Sequence, residues 1–62
     1  MKPQSGEVWE NMHTKTRAKI IDRIFFNIHY YEYLNDITLD CYTHYKTFQK
    51  HWIKIGNVNE HE

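Results

Sequence analysis

The choice of apolar residues is the feature of this sequence that most restricts its fold. Isoleucine, valine, threonine, tyrosine, phenylalanine and tryptophan supply 24 of the 62 residues, whereas alanine occurs once and leucine twice. Branched and aromatic side chains favour strands, while alanine and leucine favour helices. The inventory therefore predicts an all-β fold.

A helical pattern competes with this prediction in the second half of the chain. Its apolar residues follow one another at spacings of four, four, three and four, as on one face of a helix: Ile37, Cys41, Tyr45, Phe48 and Trp52. Two helices packed as a hairpin would each leave one side without a partner, whereas a small closed sheet brings the aromatic residues into one centre. We therefore prefer strands and keep a helical-hairpin transcription regulator as a third interpretation.

Alternation of apolar and polar residues places about five short strands. The predicted elements are strands over Glu7–Glu10, Thr16–Arg23, Ile28–Leu34 and about Ile37–Thr43, then a short helical segment, then a closing strand over Trp52–Ile55. Turns are predicted at Ile24–Asn27 and at Asn35-Asp36, the latter with central residues that tolerate positive φ.

The remaining fold predictions concern the helical segment, the core and the ends. Thr47 is the expected cap of the short helix. The expected core consists of Val8, Trp9, Ile20, Phe48 and Trp52. Residues 1–5 are expected to form a flexible start, residues 6–55 the domain, and residues 56–62 a flexible tail, because both ends lack apolar periodicity.

Four segments together resemble small, mostly uncharacterised phage and prophage proteins that have an SH3-like β-barrel. The segments are Gly6-Glu7-Val8-Trp9, Arg17-Ala18-Lys19-Ile20-Ile21-Asp22, Tyr30-Tyr31-Glu32-Tyr33, and the closing run from Thr47 to Ile55. The resemblance implies an SH3-like barrel with a short helical turn before the last strand. It also implies an origin in a phage or another mobile element.

The surplus of tyrosine suggests a protein-binding surface. Five tyrosines are more than so small a core can hold, because neighbours on a strand face opposite sides. Exposed rigid aromatic residues give contact area at little cost in side-chain entropy. The predicted protein-binding residues are Phe25, Phe26, Tyr31, Tyr33 and Tyr42, and the expected partner is a host or phage protein, with inhibition of a host defence or regulatory factor as one outcome. The alternative interpretation is that these rings have only a structural role and form cross-strand pairs that stabilise the sheet.

The alternative function is nucleic-acid binding. Eight basic residues balance eight acidic ones, so net charge gives no affinity for phosphates and only a local patch would provide it. Such a patch is expected at Arg17, Lys19, Lys46 and Lys50 if the second strand lies beside the closing segment. The competing interpretation is that these cations occupy only the solvated positions of strands.

No catalytic residue, metal site or cofactor is predicted. The single cysteine, Cys41, lies in an apolar strand pattern beside an anion, which suits a buried small residue better than a nucleophile. Five histidines are present without thiolate or carboxylate partners at compact spacing, and they are expected to hold no metal. The sequence has no apolar run long enough for a membrane span and no secretion signal, so we expect a non-enzymatic cytoplasmic protein, with a small homo-oligomer allowed.

Overall fold

The computed structural model describes residues 3–57 and contains five strands and one short helix. In chain order these are β1 (Glu7–Asn11), β2 (Arg17–Ile24), β3 (Asn27–Tyr33), β4 (Thr38–His44), α1 (Tyr45–His51) and β5 (Trp52–Asn57). The prediction of an all-β fold with five short strands and a helical segment before the last strand is confirmed.

The strands form one antiparallel sheet in the order β4-β3-β2-β1-β5. The strands β2, β3 and β4 make a continuous meander, and β5 returns to pair with the free side of β1. The pairing is interrupted by irregularities between Ile20 and Asp22 on β2 and between Val8 and Trp9 on β1. Such bulges increase the local twist of a sheet.

The core lies on one face of this sheet and is closed by α1. Its buried members are Trp9, Ala18, Ile20, Ile28, Tyr30, Phe48 and Trp52. Phe48 comes from α1 and stacks on Trp52 at a centroid distance of 5.0 Å, while the Trp9 ring meets Phe48 edge-on at 5.4 Å. Edge-on and offset ring pairs contribute stabilisation in addition to that from the apolar surface they bury, so this aromatic cluster stabilises the fold beyond simple burial.

The prediction that Val8 belongs to the core is wrong. Val8 is only half-buried, because Trp9 faces the core and neighbours on a strand face opposite sides. The same two-residue period carries Glu7 inward with Trp9, and Glu7 is the buried charged residue of the described chain.

Two local features, the start of α1 and the turn between β3 and β4, differ from the predicted ones. The helix α1 begins at Tyr45 with His44 as its N-cap, so Thr47 lies inside the helix and does not cap it. The turn between β3 and β4 is closed by a hydrogen bond from Leu34 N–H to the Ile37 carbonyl, and neither Asn35 nor Asp36 has positive φ.

Both ends of the described chain contact the sheet. Pro3 is fully buried, and the Ser5 hydroxyl donates to the Ile21 carbonyl at 2.8 Å. Strand β5 continues past Ile55 to Asn57, which pairs with Glu7. The domain therefore includes residues 3–5 and 56–57, which the sequence assigned to its ends; residues 58–62 of the predicted tail lie outside the described residues.

Candidate functional site

The outer face of the sheet carries basic and aromatic residues side by side. Cross-strand register places Arg17 opposite Tyr33 and Lys19 opposite Tyr31. These residues alternate along β2 and β3 with the buried Ala18, Ile20, Ile28 and Tyr30, so they point away from the core. We call this surface, formed by Arg17, Lys19, His29, Tyr31, Tyr33, Asp40 and Tyr42, the outer sheet face.

His29 organises the β3–β4 part of the outer sheet face. Its ring stacks on Tyr42 at 4.4 Å and meets Tyr31 edge-on at 5.7 Å. The same ring contacts the Asp40 carboxylate through Nε2 at 2.5 Å. The three rings are thus held in fixed relative positions, although sequence reasoning did not assign His29 a role.

The four basic residues of the alternative prediction do not form one face through adjacent strands. Strand β1 lies between β2 and β5, so β2 and the closing segment are not neighbours. Arg17 and Lys19 remain on the outer sheet face, whereas Lys46 and Lys50 lie on α1 and are exposed there. Arg17 is also paired with Glu10, with Nε 3.7 Å from Oε1, which lowers the local positive potential.

A second exposed surface surrounds the turn between β2 and β3. Phe25 and Phe26 form this two-residue turn, and the adjoining Ile24 is also exposed. Phe25 is 84% exposed, the largest exposed fraction among the described large hydrophobic residues, and Phe26 is 56% exposed. Phe25 has φ 57°, a left-handed conformation that is rare for a bulky side chain.

The turn packs against the junction of β4 and α1. Phe26 stacks on His44 at 5.9 Å and approaches Tyr45 at 6.1 Å, and its carbonyl accepts a hydrogen bond from Tyr45 N–H at 2.8 Å. A shallow cavity of about 150 Å³ lies here, lined by Phe26, His44, Tyr45 and Lys46. We call this surface, formed by Ile24, Phe25, Phe26, His44, Tyr45 and Lys46, the hairpin tip.

The hairpin tip and the outer sheet face join along β4. Tyr42 and His44 are two residues apart on this strand and therefore share a face, and His44 contacts Phe26. The structure thus places all five predicted protein-binding residues on one outward-facing surface, where Phe25, Phe26, Tyr33 and Tyr42 are exposed and Tyr31 is half-buried. Sequence reasoning missed His44, which joins the two parts; its only signal was its position two residues after Tyr42.

The chemistry of Cys41 does not suit a nucleophile. Burial and the nearby carboxylates of Glu32 and Asp40 raise the pKa of the Cys41 thiol, with a hydrogen bond from Tyr30 as a smaller opposing effect. Burial also raises the pKa of Tyr30 to about 12, helped by Cys41 and Glu32. Both groups therefore stay protonated near neutral pH, whereas a reactive cysteine requires a lowered pKa.

Two histidines meet at the opposite end of the sheet. His13 Nε2 lies 3.2 Å from His51 Nδ1, and the loop holding His13 is fixed by a hydrogen bond from Met12 N–H to the His51 carbonyl. Within residues 3–57, no group of three or more His, Cys, Asp or Glu side chains is arranged to hold a metal ion.

Comparison with known proteins identifies no family, no curated protein and no solved structure that matches this chain. In the described part of the chain, no helix has the length and apolar character needed to cross a membrane.

Proposed function

We propose that this chain is a non-enzymatic protein that binds another protein through the hairpin tip, with Phe25 and Phe26 as the central contacts. The observation that carries this proposal is the combination of exposure and backbone strain at Phe25. Tyr42 and the outer sheet face extend the same contact surface toward Tyr31 and Tyr33.

Folding stability does not account for Phe25. Positive φ at the first residue of a two-residue hairpin turn favours glycine, and a bulky residue there costs about 1–3 kcal/mol. Its side chain recovers little of this cost, since most of it remains in contact with water. A strained residue that contributes little to the core is typical of a position kept for function.

The surroundings of the tip indicate the chemistry of its partner. Arg23 donates from Nη1 to the Phe25 carbonyl at 3.3 Å, and Lys46 borders the cavity beside Phe26. Neither cation forms an ion pair within residues 3–57. The tip therefore suits a partner with an apolar socket for the two phenylalanines and carboxylates at the rim of that socket.

The resemblance to phage and prophage proteins supplies the biological setting of the proposal. In this setting the proposed location is the cytoplasm of a host cell, the proposed partner is a host or phage protein, and the proposed consequence is inhibition of a host defence or regulatory factor. The SH3-like class of the barrel belongs to the same proposal, and the order of strands and helix supports it.

A pull-down from host lysate tests the proposal if it compares matched variants. The wild type and Ile53→Ala, a change at an exposed residue of β5, are expected to retain the same partner protein with or without nuclease. Phe25→Gly and Phe26→Gly are each expected to lose it, because truncating a central aromatic contact removes most of the binding energy. Retention of the partner by both variants would refute the proposal.

Nucleic-acid binding is the second candidate function, and the register of β2 and β3 favours it. Arg17 beside the exposed Tyr33 and Lys19 beside the half-buried Tyr31 give two pairs of a cation and an outward-facing ring, as single-stranded nucleic acids require for phosphate contacts and base stacking. A groove between the β1–β2 and β3–β4 loops adds Lys15 to Arg17 and Tyr33. We rank this function second because Arg17 is paired with Glu10 and net charge is zero.

A further inference from the structure

Strand β4 forms one edge of the sheet, and its outer edge is open. It pairs with β3 over all seven of its residues, and no other strand within residues 3–57 pairs with it. All of its residues are exposed or half-buried. An edge of this kind presents unpaired N–H and C=O groups that are able to pair with another strand.

The two edges of the sheet differ in how they are protected. Strand β5 contains Lys54, and its pairing with β1 is interrupted by a bulge, both of which discourage pairing with a second chain. Strand β4 contains no lysine, arginine or proline, and its register with β3 is uninterrupted. The edge most open to another strand is therefore that of β4.

We infer that β4 pairs antiparallel with β4 of a second copy of this chain, joining two sheets across a two-fold axis. The middle residue of the strand is Cys41, so pairing over its full length places Cys41 opposite its counterpart. In this register Thr38 lies opposite His44 and Leu39 opposite Thr43. Because the two-fold axis passes between the two Cys41 residues, both copies contribute the same surface to the interface.

The charges on β4 select this register. Asp40 lies opposite Tyr42 of the second copy, so a carboxylate faces a hydroxyl group. Shifting the axis to Asp40 would place two carboxylates opposite each other, which is unfavourable at cross-strand distances. Leu39, which is 40% exposed in the single chain, gains cover from the second copy.

The oligomeric state of matched lysine variants tests which edge is used. Wild-type protein is expected to shift from monomer to dimer as its concentration rises in sedimentation or light-scattering experiments. Leu39→Lys on β4 should weaken the dimer at least tenfold, whereas Ile53→Lys on β5, at a site that is 53% exposed, should leave it unchanged. Circular dichroism checks that both variants are folded. A monomer at all concentrations, or a dimer weakened only by Ile53→Lys, would overturn the inference.

Oxidative cross-linking tests the register. Directly opposed residues of antiparallel strands have Cα atoms about 4.5–5.5 Å apart, within the range for a disulfide. Copper-phenanthroline with oxygen, which accepts the two electrons and protons of the thiols, should therefore link wild-type chains through Cys41. The control Cys41→Ser/Thr43→Cys places its thiols about 13 Å apart in this register and should not cross-link. Cross-linking of the control but not of the wild type would refute the pairing.

Discussion

Replacing Phe25 with glycine is expected to stabilise the fold while abolishing the proposed binding. Phe25 has φ 57° and Phe26 does not have positive φ, so the turn belongs to the type that favours glycine at its first position. Glycine has no Cβ and adopts this conformation without steric conflict. The matched variant, Phe26→Gly, changes the neighbouring residue of the same turn, where no such strain exists.

The expected stability changes follow from strain, exposure and chain entropy. Relief of strain at Phe25 contributes about 2 kcal/mol. Against this, the covered sixth of a side chain of about 200 Å² represents about 0.8 kcal/mol of burial, and glycine costs about 0.7 kcal/mol in chain entropy. The net effect is a gain of about 0.5 kcal/mol. Phe26 is 56% exposed and unstrained, so Phe26→Gly should lose about 2.2 kcal/mol of burial plus the same entropy, a loss of about 3 kcal/mol.

Equilibrium urea unfolding, followed by tryptophan fluorescence, measures both changes, since Trp9 and Trp52 lie in the core. The two variants should differ by about 3.5 kcal/mol in unfolding free energy and agree in losing the partner protein. If Phe25→Gly destabilises the fold as much as Phe26→Gly does, Phe25 serves the stability of the turn. The observation on which the proposed function depends would then be lost.

Three other predictions concern the buried carboxylate, the core and the outer sheet face. Glu7→Gln should lower the unfolding free energy at pH 7 by about 1–3 kcal/mol, because Gln keeps an acceptor for the Trp9 indole but turns a donor toward Lys54. Burial alone would raise the pKa of Glu7, but hydrogen bonds from Gln4 N–H, Trp9 and Lys54, together with the charge of Lys54, outweigh burial, so the pKa lies below its ordinary value of 4.5. The carboxylate therefore stabilises the fold above pH 4.5. Acid titration of the wild type should show a loss of stability as pH falls through the folded pKa, and Glu7→Gln should not show this loss. Trp9→Ala should cost about 3–5 kcal/mol, enough to unfold much of the protein in a circular dichroism melt. Oligonucleotide binding through the outer sheet face should weaken steeply as the salt concentration rises and should be lost in the double variant Arg17→Ala/Lys19→Ala. Binding that persists at high salt and in the double variant would exclude the outer sheet face as its site.

The strands were predictable because their core residues alternate without ambiguity. Ala18 and Ile20 on β2, and Ile28 and Tyr30 on β3, all face inward at a period of two. The apolar pair Val8-Trp9 was not predictable in the same way, since only one of two neighbours faces the core. Trp9 buries the larger surface and therefore takes the inner position.

Because Trp9 faces the core, Glu7 faces it as well, and its carboxylate is buried. The sequence alone does not show which groups stabilise this carboxylate. Glu7 Oε1 accepts hydrogen bonds from Gln4 N–H at 3.0 Å and from the Trp9 indole at 2.9 Å, and Oε2 lies 3.3 Å from Lys54 Nζ. Of these partners, Lys54 alone comes from a distant part of the chain. Its position beside Glu7 depends on the pairing of β1 with β5, a long-range contact that local patterns do not encode.

The same dependence explains which parts of the candidate site were predictable. Exposure of the tyrosines followed from strand alternation, because Tyr30 is buried while Tyr31 and its partners face outward. The division of the basic residues did not, since it depends on β1 lying between β2 and β5. Residue type therefore identified the exposed rings, whereas sheet order decided which cations accompany them.

Exposed apolar residues are more numerous than the buried residues of the core, and this links stability to binding. The large ones are Met12, Ile24, Phe25, Phe26, Tyr33, Ile37, Leu39, Tyr42, Ile53 and Ile55, against seven core members. Most belong to the hairpin tip or to the two edge strands. Any partner that covers them binds the folded chain and not the unfolded one, so it raises the unfolding free energy by mass action. A partner on the hairpin tip and a second copy on β4 are thus each expected to raise the melting temperature, but their effects are not expected to add, because both contact His44 on β4.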